Sequence, residues 1–423
     1  MGKHITIFEH QTLKLDHDYE GVTFDNDKLN ALQRFYGDKG VPYFSLVHKG
    51  IRFSEFVGVI QVGALIIEVL PKADKSSADV NSKAKWRNIL IDMLRASGIF
   101  NIQAPSSSSL NLKSNSLLDL YFELFIKEVE YLLHAGLAKQ YRKKEANVTA
   151  LKGCLQFNKH LQQNITHQER FFVRHTTYDV EHKLHFILYK AIRLLKQINT
   201  NSALHSRIGA LLLHFPEMPD INVSESTFEK LVFNRKTVTY KKAIDIAKLL
   251  LLQYHPDVSN GRNNVLALMF DMNALWEKFV FTSLLKYKVP DVTITPQSPK
   301  FFWKPEVGYR SKIIPDIVIN QGKDNCVVLD TKWKNLNGFN PSPEDLRQMY
   351  VYHQYYNSEQ VALIYPGENS FKSGIYIDPN TGTDSKFKCG VFSLSPQLNV
   401  KLWQKDINVT ILNLITKSTT EIN

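Results

Sequence analysis

The sequence predicts a multidomain chain of the mixed α/β (α+β) class. Three observations carry that reading. Tyr43 to Leu70 is a series of β-rich runs broken at His48-Lys49-Gly50 and Val62-Gly63-Ala64, the pattern of stacked hairpins. From about Ala84 to Gln253 helical spacing dominates, with Leu184, Ile187, Leu188, Ala191, Leu195 and Ile198 on one stripe. Beyond that, helix-like and strand-like runs alternate. The predicted division is a β-rich region over 1–110, a helical region over 111–258, and a C-terminal domain over 259–423. The last has a mixed central sheet flanked by helices. His255-Pro256-Asp257 and the Asn- and Gly-rich Ser259 to Asn264 mark its boundary. At 423 residues, 43% of them apolar, the chain can build two or three cores.

The C-terminal elements follow in order. Met272 to Lys286 reads as a helix with apolar Leu275, Trp276, Phe279 and Val280. Val292-Thr-Ile-Thr295 reads as a strand. Ile313 to Ile319 and Val327 to Lys332 are β-branched apolar runs of strand length. Gln321-Gly322-Lys323-Asp324-Asn325 between them is a polar turn. Together they form a hairpin. If those residues are the loop, Asn320 pairs with Cys326, and Asp316 faces Asp330. Side chains two apart share a strand face, so Lys332 projects beside Asp330. Ser342-Pro343-Glu344-Asp345 supplies an N-cap, a first-turn proline and acids at the positive end of a helix running to about Tyr356. Val361 to Tyr365 is another strand, stopped by Pro366-Gly367.

Two carboxylates directly opposite repel. A divalent cation between them removes the conflict, and Mg²⁺ takes one or two carboxylates plus water and phosphate oxygens. An ammonium beside it can orient a water and offset charge on a phosphoryl oxygen. Pro-Asp, a spacer, then Asp-x-Lys is the pattern of the PD-(D/E)xK nucleases. The order helix-strand-strand-strand-helix-strand is the core of that fold. The competing reading is that Asp316 and Asp330 are ordinary strand-end acids. Asp384-Ser-Lys386 has the same letters, but its surroundings, Pro379, Asn380 and Gly382, have loop composition.

Further residues join the candidate site. Glu277 shares a helix side with Ala274 and Phe281, so it is a satisfied polar group or a site acid. In that nuclease fold this helix commonly supplies an acid to the metal or its water. Gln348 lies on one stripe with Asp345 and Tyr352. It could orient a water or a phosphate, or be a core-edge amide. The expected metal ligands are Asp316, Asp330, the Thr331 carbonyl and Glu277. The expected catalytic set is Asp316, Asp330, Lys332, Glu277 and Gln348.

Longer stretches resemble one family. Asp330-Thr-Lys332-Trp-Lys334, Asp345-Leu-Arg-Gln348-Met349-Tyr350 and Ala362-Leu-Ile-Tyr365-Pro366 are similar to McrC, the nuclease subunit of the McrBC modification-dependent restriction systems. Phe56-Val-Gly58-Val-Ile-Gln-Val-Gly63 with Ile67-Glu68-Val-Leu70-Pro71-Lys72 resembles that family's N-terminal segment. Leu151-Lys-Gly153-Cys-Leu155 and Asp179-Val-Glu181-His-Lys-Leu184 resemble its middle. The resemblance implies a Mg²⁺-dependent DNA endonuclease leaving 5′-phosphate and 3′-hydroxyl ends. It implies an AAA+ GTPase partner of McrB type, which reads double-stranded DNA carrying modified cytosine. It implies that the N-terminal part stimulates that partner's GTP hydrolysis. One site cuts one strand, so two copies are expected for a double-strand break. The alternative is a non-catalytic activator or scaffold of an AAA+ motor with a degenerate nuclease fold; the intact Asp-Asp-Lys set argues against it. Polar runs at Asp74 to Ser82 and Pro105 to Ser109 lengthen the chain beyond the family's pattern.

Composition narrows the rest. Lys and Arg number 52 against 41 Asp and Glu, giving +11, which favours polyanionic partners. The densest cluster, Lys139, Arg142, Lys143 and Lys144, follows a helix-like stretch from Leu117 to Leu137 and is either its solvated end or a polyanion contact. Cys154, Cys326 and Cys389 are too dispersed for a disulfide framework or zinc knuckle, as expected in a reducing cytoplasm. No run of about 18 apolar residues and no signal peptide is visible, so no membrane association is expected. No G-x-x-x-x-G-K-[ST] loop occurs, so nucleotide chemistry falls to a partner. No G-x-S-x-G or H-E-x-x-H supports serine hydrolase or zincin chemistry. His182 and His185 have no partnered acid in view and read as structural or exposed.

Overall fold

The computed structural model describes residues 3–73, 80–98, 117–256, 263–336, 338 and 340–420. The polar run at 105–109, most of the run that starts at Asp74, and most of the junction from Asp257 to Asn264 lie outside them. The chain forms two compact units. One comprises 1–3, 61–65 and 112–268; the other comprises 4–60, 66–111 and 269–423. Most of the 111–258 stretch falls in the first unit, and most of the stretches on either side of it fall in the second.

The first unit is built on helices Leu117–Ala135, Lys183–Ile198, Ser202–His214 and Lys241–Leu252. Leu184, Ile187, Leu188, Ala191, Leu195 and Ile198 are all buried core, as their spacing predicts. His182 caps its helix by accepting from the Leu184 N–H at 3.1 Å. His185 is buried, 3.0 Å from the Tyr240 hydroxyl. Both histidines are structural. A three-stranded antiparallel sheet also belongs to this unit, with Phe171–Asp179 between Cys154–Leu155 and Gln140–Val148. The basic cluster lies at the start of that sheet, with Arg142, Lys143 and Lys144 on a strand, and is not a helix end. Arg142 pairs with Asp179 at 3.0 Å across the ladder. Gly153 has φ +72°, and a Cβ there would meet the Arg174 carbonyl oxygen at 2.4 Å, so the resembling Leu151–Leu155 segment needs glycine at that crossing.

The predicted hairpin turns are present, the first within the second unit and the second, at 61–65, within the first. Phe44–Val47 pairs with Gly50–Phe53, and Phe56–Val62 neighbours Leu65–Leu70. Lys49 and Gly63 hold the turns at φ +52° and +58°. The C-terminal elements, numbered within this part of the chain, are α1 (Met272–Lys286), β1 (Ile294–Pro296), β2 (Lys300–Trp303), β3 (Ser311–Ile313), β4 (Ile317–Ile319), β5 (Val327–Thr331), α2 (Pro343–Tyr356), β6 (Gln360–Pro366), β7 (Ser370–Ile377), β8 (Asp384–Leu394) and α3 (Val400–Thr420). The main sheet has the order β1-β4-β5-β6-β8-β7. The β5-β6 and β6-β8 ladders are parallel and the others antiparallel. Parallel central strands are buried on both faces, which fits the unbroken apolar run Val361 to Tyr365. Val318, Val328, Leu363 and Val391 form a core with Met349, Tyr352 and Tyr356 of α2.

α1 starts where Asp271 accepts from the N–H groups of Asn273 and Ala274 at 2.8 and 3.1 Å. α2 starts where Ser342 accepts from the Asp345 N–H at 3.2 Å and stops at left-handed Asn357. Four features differ from the sequence reading. The run Ile313 to Ile319, expected as one strand, is split between β3 and β4, with Ile314, Pro315 and Asp316 in the gap, because proline has no N–H for the ladder. The strand expected over Val292 to Thr295 is Ile294–Pro296. A β2-β3 hairpin is inserted before β4. Asp384-Ser-Lys386 opens strand β8 rather than lying in a loop, because pairing with β7 supplies the order that its composition does not.

The shared core of this unit is aromatic. Trp333, just after β5, has ring centroids 6.4 Å from Trp86 and 5.6 Å from Trp276. Trp403 of α3 stacks on Trp276 at 5.5 Å. The Trp333 backbone N–H donates to Asn273 Oδ1 at 3.0 Å, and its indole N–H donates to Glu9. Burial of such rings gives the N-terminal segment and the C-terminal sheet one hydrophobic interior.

Candidate active site

β4 and β5 pair as Ile317 with Leu329, Val318 with Val328 and Ile319 with Val327. The expected pairings of Asn320 with Cys326 and of Asp316 with Asp330 lie one step beyond each end of this ladder, and Asp316 sits just before β4. Asp330 is buried at 1% exposure, on a strand with partners on both sides. Asp316 Oδ2 accepts from both the Thr331 N–H at 2.6 Å and the Thr331 hydroxyl at 2.7 Å. These bonds fix one oxygen of Asp316 against β5.

Lys332 Nζ lies 2.7 Å from Asp330 Oδ2. It also donates to Gln348 Oε1 at 3.2 Å. The Gln348 amide nitrogen contacts Asp330 Oδ1 at 3.3 Å and the Tyr352 hydroxyl at 2.8 Å. Gln348 thus spans the acid and the ammonium from α2, while the Tyr352 hydroxyl donates to the Ile314 carbonyl at 3.1 Å. Glu277 reaches the same cluster from α1 and accepts from Gln297 at 3.0 Å. All five residues singled out in the sequence are brought together on the second unit.

The electrostatics are those of crowded acids. Burial, then the Asp316 charge, pushes Asp330 up to about 6. Burial, then the charges of Asp316 and Asp330, pushes Glu277 up to about 7. Burial raises Asp316 as well, against the two Thr331 hydrogen bonds and Lys332. Burial works against the Lys332 ammonium, yet Asp330, Asp316 and Asp345 outweigh it and raise its pKa. Such acids compete for one positive charge, which is an electrostatic demand for a cation. Among the described residues no group of three or more His, Cys, Asp or Glu side chains is gathered tightly enough to hold one ion. The donor set is two neighbouring carboxylates with a third nearby, which fits Mg²⁺ completing its shell with water and phosphate oxygens.

The sequence reading missed supporting residues. Gln297, at φ +43°, holds Glu277 and donates its backbone N–H to the Asp316 carbonyl at 3.0 Å. Lys334 pairs with Asp345 at 2.6 Å, and the Tyr365 hydroxyl donates to the same oxygen at 3.0 Å. Those residues lie two beyond Lys332 and three before Gln348, so strand and helix periodicity marks them. Nothing local marks Gln297.

A model of the family described as "McrBC 5-methylcytosine restriction system component" matches residues 51–366. The chain belongs to this family. The likeness to McrC read from the sequence is borne out. No curated protein matches the chain. One solved structure, a refined half-complex from the tetradecameric assembly of Thermococcus gammatolerans McrB AAA+ hexamers with bound McrC, contains a chain of similar fold. The TM-score is 0.73 at 18% identity, covering 97% of this chain and 100% of that one. A cryo-EM structure of the Thermococcus gammatolerans McrBC complex gives 0.51 at 18% identity over 67% of this chain and 88% of that one. At such identity these likenesses speak to fold alone. This McrBC-family chain has no helix among the described residues long and apolar enough to cross a membrane.

Proposed function

We propose that the chain is the Mg²⁺-dependent DNA endonuclease subunit of a McrBC-type restriction system. The observation that carries this reading is the gathering of Asp316, held to Thr331 at 2.6 and 2.7 Å, and Asp330, with Lys332 2.7 Å away, at the end of the β4-β5 pair. Asp316 and Asp330 would hold Mg²⁺, with the Thr331 carbonyl as a further ligand and Glu277 acting through a water. Bound there, the ion would supply Lewis-acid polarisation and a more acidic water. Lys332 donates to a phosphoryl oxygen and offsets the charge that develops on it. Gln348 holds the Lys332 head in place. Glu277, reaching the cluster from α1 and held by Gln297, is placed to take a proton from the attacking water. Cleavage leaves a 5′-phosphate and a 3′-hydroxyl.

The proposed partner is an AAA+ GTPase of McrB type that reads modified cytosine in duplex DNA. The Thermococcus structures, which contain McrB AAA+ hexamers with bound McrC, support that pairing through the shared fold. A double-strand break takes two copies of this chain. The test combines the chain, its McrB-type partner, GTP, Mg²⁺ and 5-methylcytosine duplex. The expected result is cleavage that disappears with Lys332→Ala. Accelerated GTP hydrolysis with no cutting by the unsubstituted chain would leave only an activator role.

A further inference from the structure

The inserted β2-β3 hairpin stands outside the six-stranded sheet. Lys300 pairs with Ile313 and Trp303 with Ser311, with a bulge between. Residues 300–313 carry Lys300, Lys304, Arg310 and Lys312 against a single acid, Glu306. Apolar side chains on it stand in water: Trp303 is 57% exposed and Tyr309 97%. Phe301 and Phe302 are exposed too. Arg310 and Lys312 sit over the Phe301 ring at 5.5 and 5.1 Å. Exposed large aromatics are costly in water, and here they alternate with cations.

The base of the hairpin is fixed while its tip is open. Lys300 Nζ donates to the Tyr355 carbonyl at 2.6 Å, and the Tyr355 hydroxyl donates to the Phe302 carbonyl at 3.2 Å. Lys300 also lies 4.6 Å from the Tyr356 ring centroid. Both tyrosines belong to α2, the helix that presents Gln348. At its other end the hairpin runs through two residues, Ile314 and Pro315, into Asp316.

We infer that this hairpin is a nucleic-acid contact that holds the DNA beside the scissile phosphate. Cations spaced along a two-stranded ribbon match backbone phosphates, and the exposed rings can stack on bases or pack on sugars. The inference rests on the nuclease reading, and the charge pattern selects a polyanion over a protein surface.

The test measures binding of a fluorescein-labelled 5-methylcytosine duplex by the full chain at several salt concentrations, alongside thermal melts. Arg310→Gln with Lys312→Gln should weaken binding and lower the salt slope by about 2, near 0.9 per phosphate contact. Trp303→Ala with Tyr309→Ala should weaken binding roughly tenfold and leave the salt slope unchanged. Melting temperatures should stay at that of the unsubstituted chain. Unaltered affinity and slope in both double variants, with Lys332→Ala inactive, overturns the hairpin assignment alone. Loss of partner association in place of DNA binding overturns it in favour of a protein interface. If the unsubstituted chain neither binds nor cuts DNA even with its McrB-type partner, GTP and Mg²⁺ present, the nuclease reading falls and the inference with it.

Discussion

The Trp333 indole N–H donates to the Glu9 carboxylate at 2.9 Å, joining residues 324 positions apart. The same carboxylate oxygen accepts from the Lys72 N–H at 2.8 Å. Trp333 follows Lys332 directly, so the N-terminal segment is tied to the base of the candidate site. Burial pushes the Glu9 carboxyl up to about 7. The native state therefore binds more protons than the unfolded chain between pH 4.5 and 7. Stability falls as pH rises through that window, by on the order of 3 kcal/mol. Glu9→Gln should flatten this part of the melting-temperature profile. Glu9→Ala should destabilise at every pH, because two buried N–H groups lose their acceptor. An unchanged pH profile in Glu9→Gln would refute the assignment.

Asp330→Ala and Lys332→Ala should each lower DNA cleavage on the order of 100-fold or more, since each removes preorganised charge. Partner binding and GTP turnover should persist. Near-normal cleavage by both variants would dismiss the site.

Asp316→Asn should weaken Mg²⁺ binding in calorimetry, because an amide oxygen brings no net charge to the cation. The same change removes a negative neighbour of Glu277. NMR titration without metal should show the Glu277 pKa falling from its starting value of about 7. An unmoved Glu277 would mean that the acids are not electrostatically linked.

A fragment ending at Gln253 should fail to fold its N-terminal region. Trp86 would lose Trp333, and Glu9 would lose its indole partner. Limited proteolysis of the fragment should degrade 4–111 faster than 112–253. Equal protection of both stretches would contradict a shared core. Point variants, rather than truncations, are therefore the way to separate cutting from GTP stimulation.

Much of the site was legible because its determinants are local. A polar turn and β-branched flanks set the β4-β5 register, and the cap at Ser342 sets the start of α2. The β2-β3 hairpin was not legible, because Lys300-Phe-Phe-Trp303 has no alternation for a half-buried strand to display. Gln140–Val148 hid for the same reason, since a charged strand without a buried face has no hydrophobic period. The Glu9-Trp333 bond is invisible in sequence because nothing local predicts a contact across most of the chain.

That bond also sets an order of events during synthesis. Glu9 leaves the ribosome 324 residues before its indole partner. At usual elongation rates this delay is roughly 15 to 65 s. Meanwhile the 112–268 body can close on itself, while the early strands and Trp86 still lack the tryptophans that cover them. The nascent chain thus carries exposed apolar surface through most of its translation. Assembly of the C-terminal sheet becomes the step that ends this exposure, so a stalled or truncated product is a substrate for chaperones or proteases.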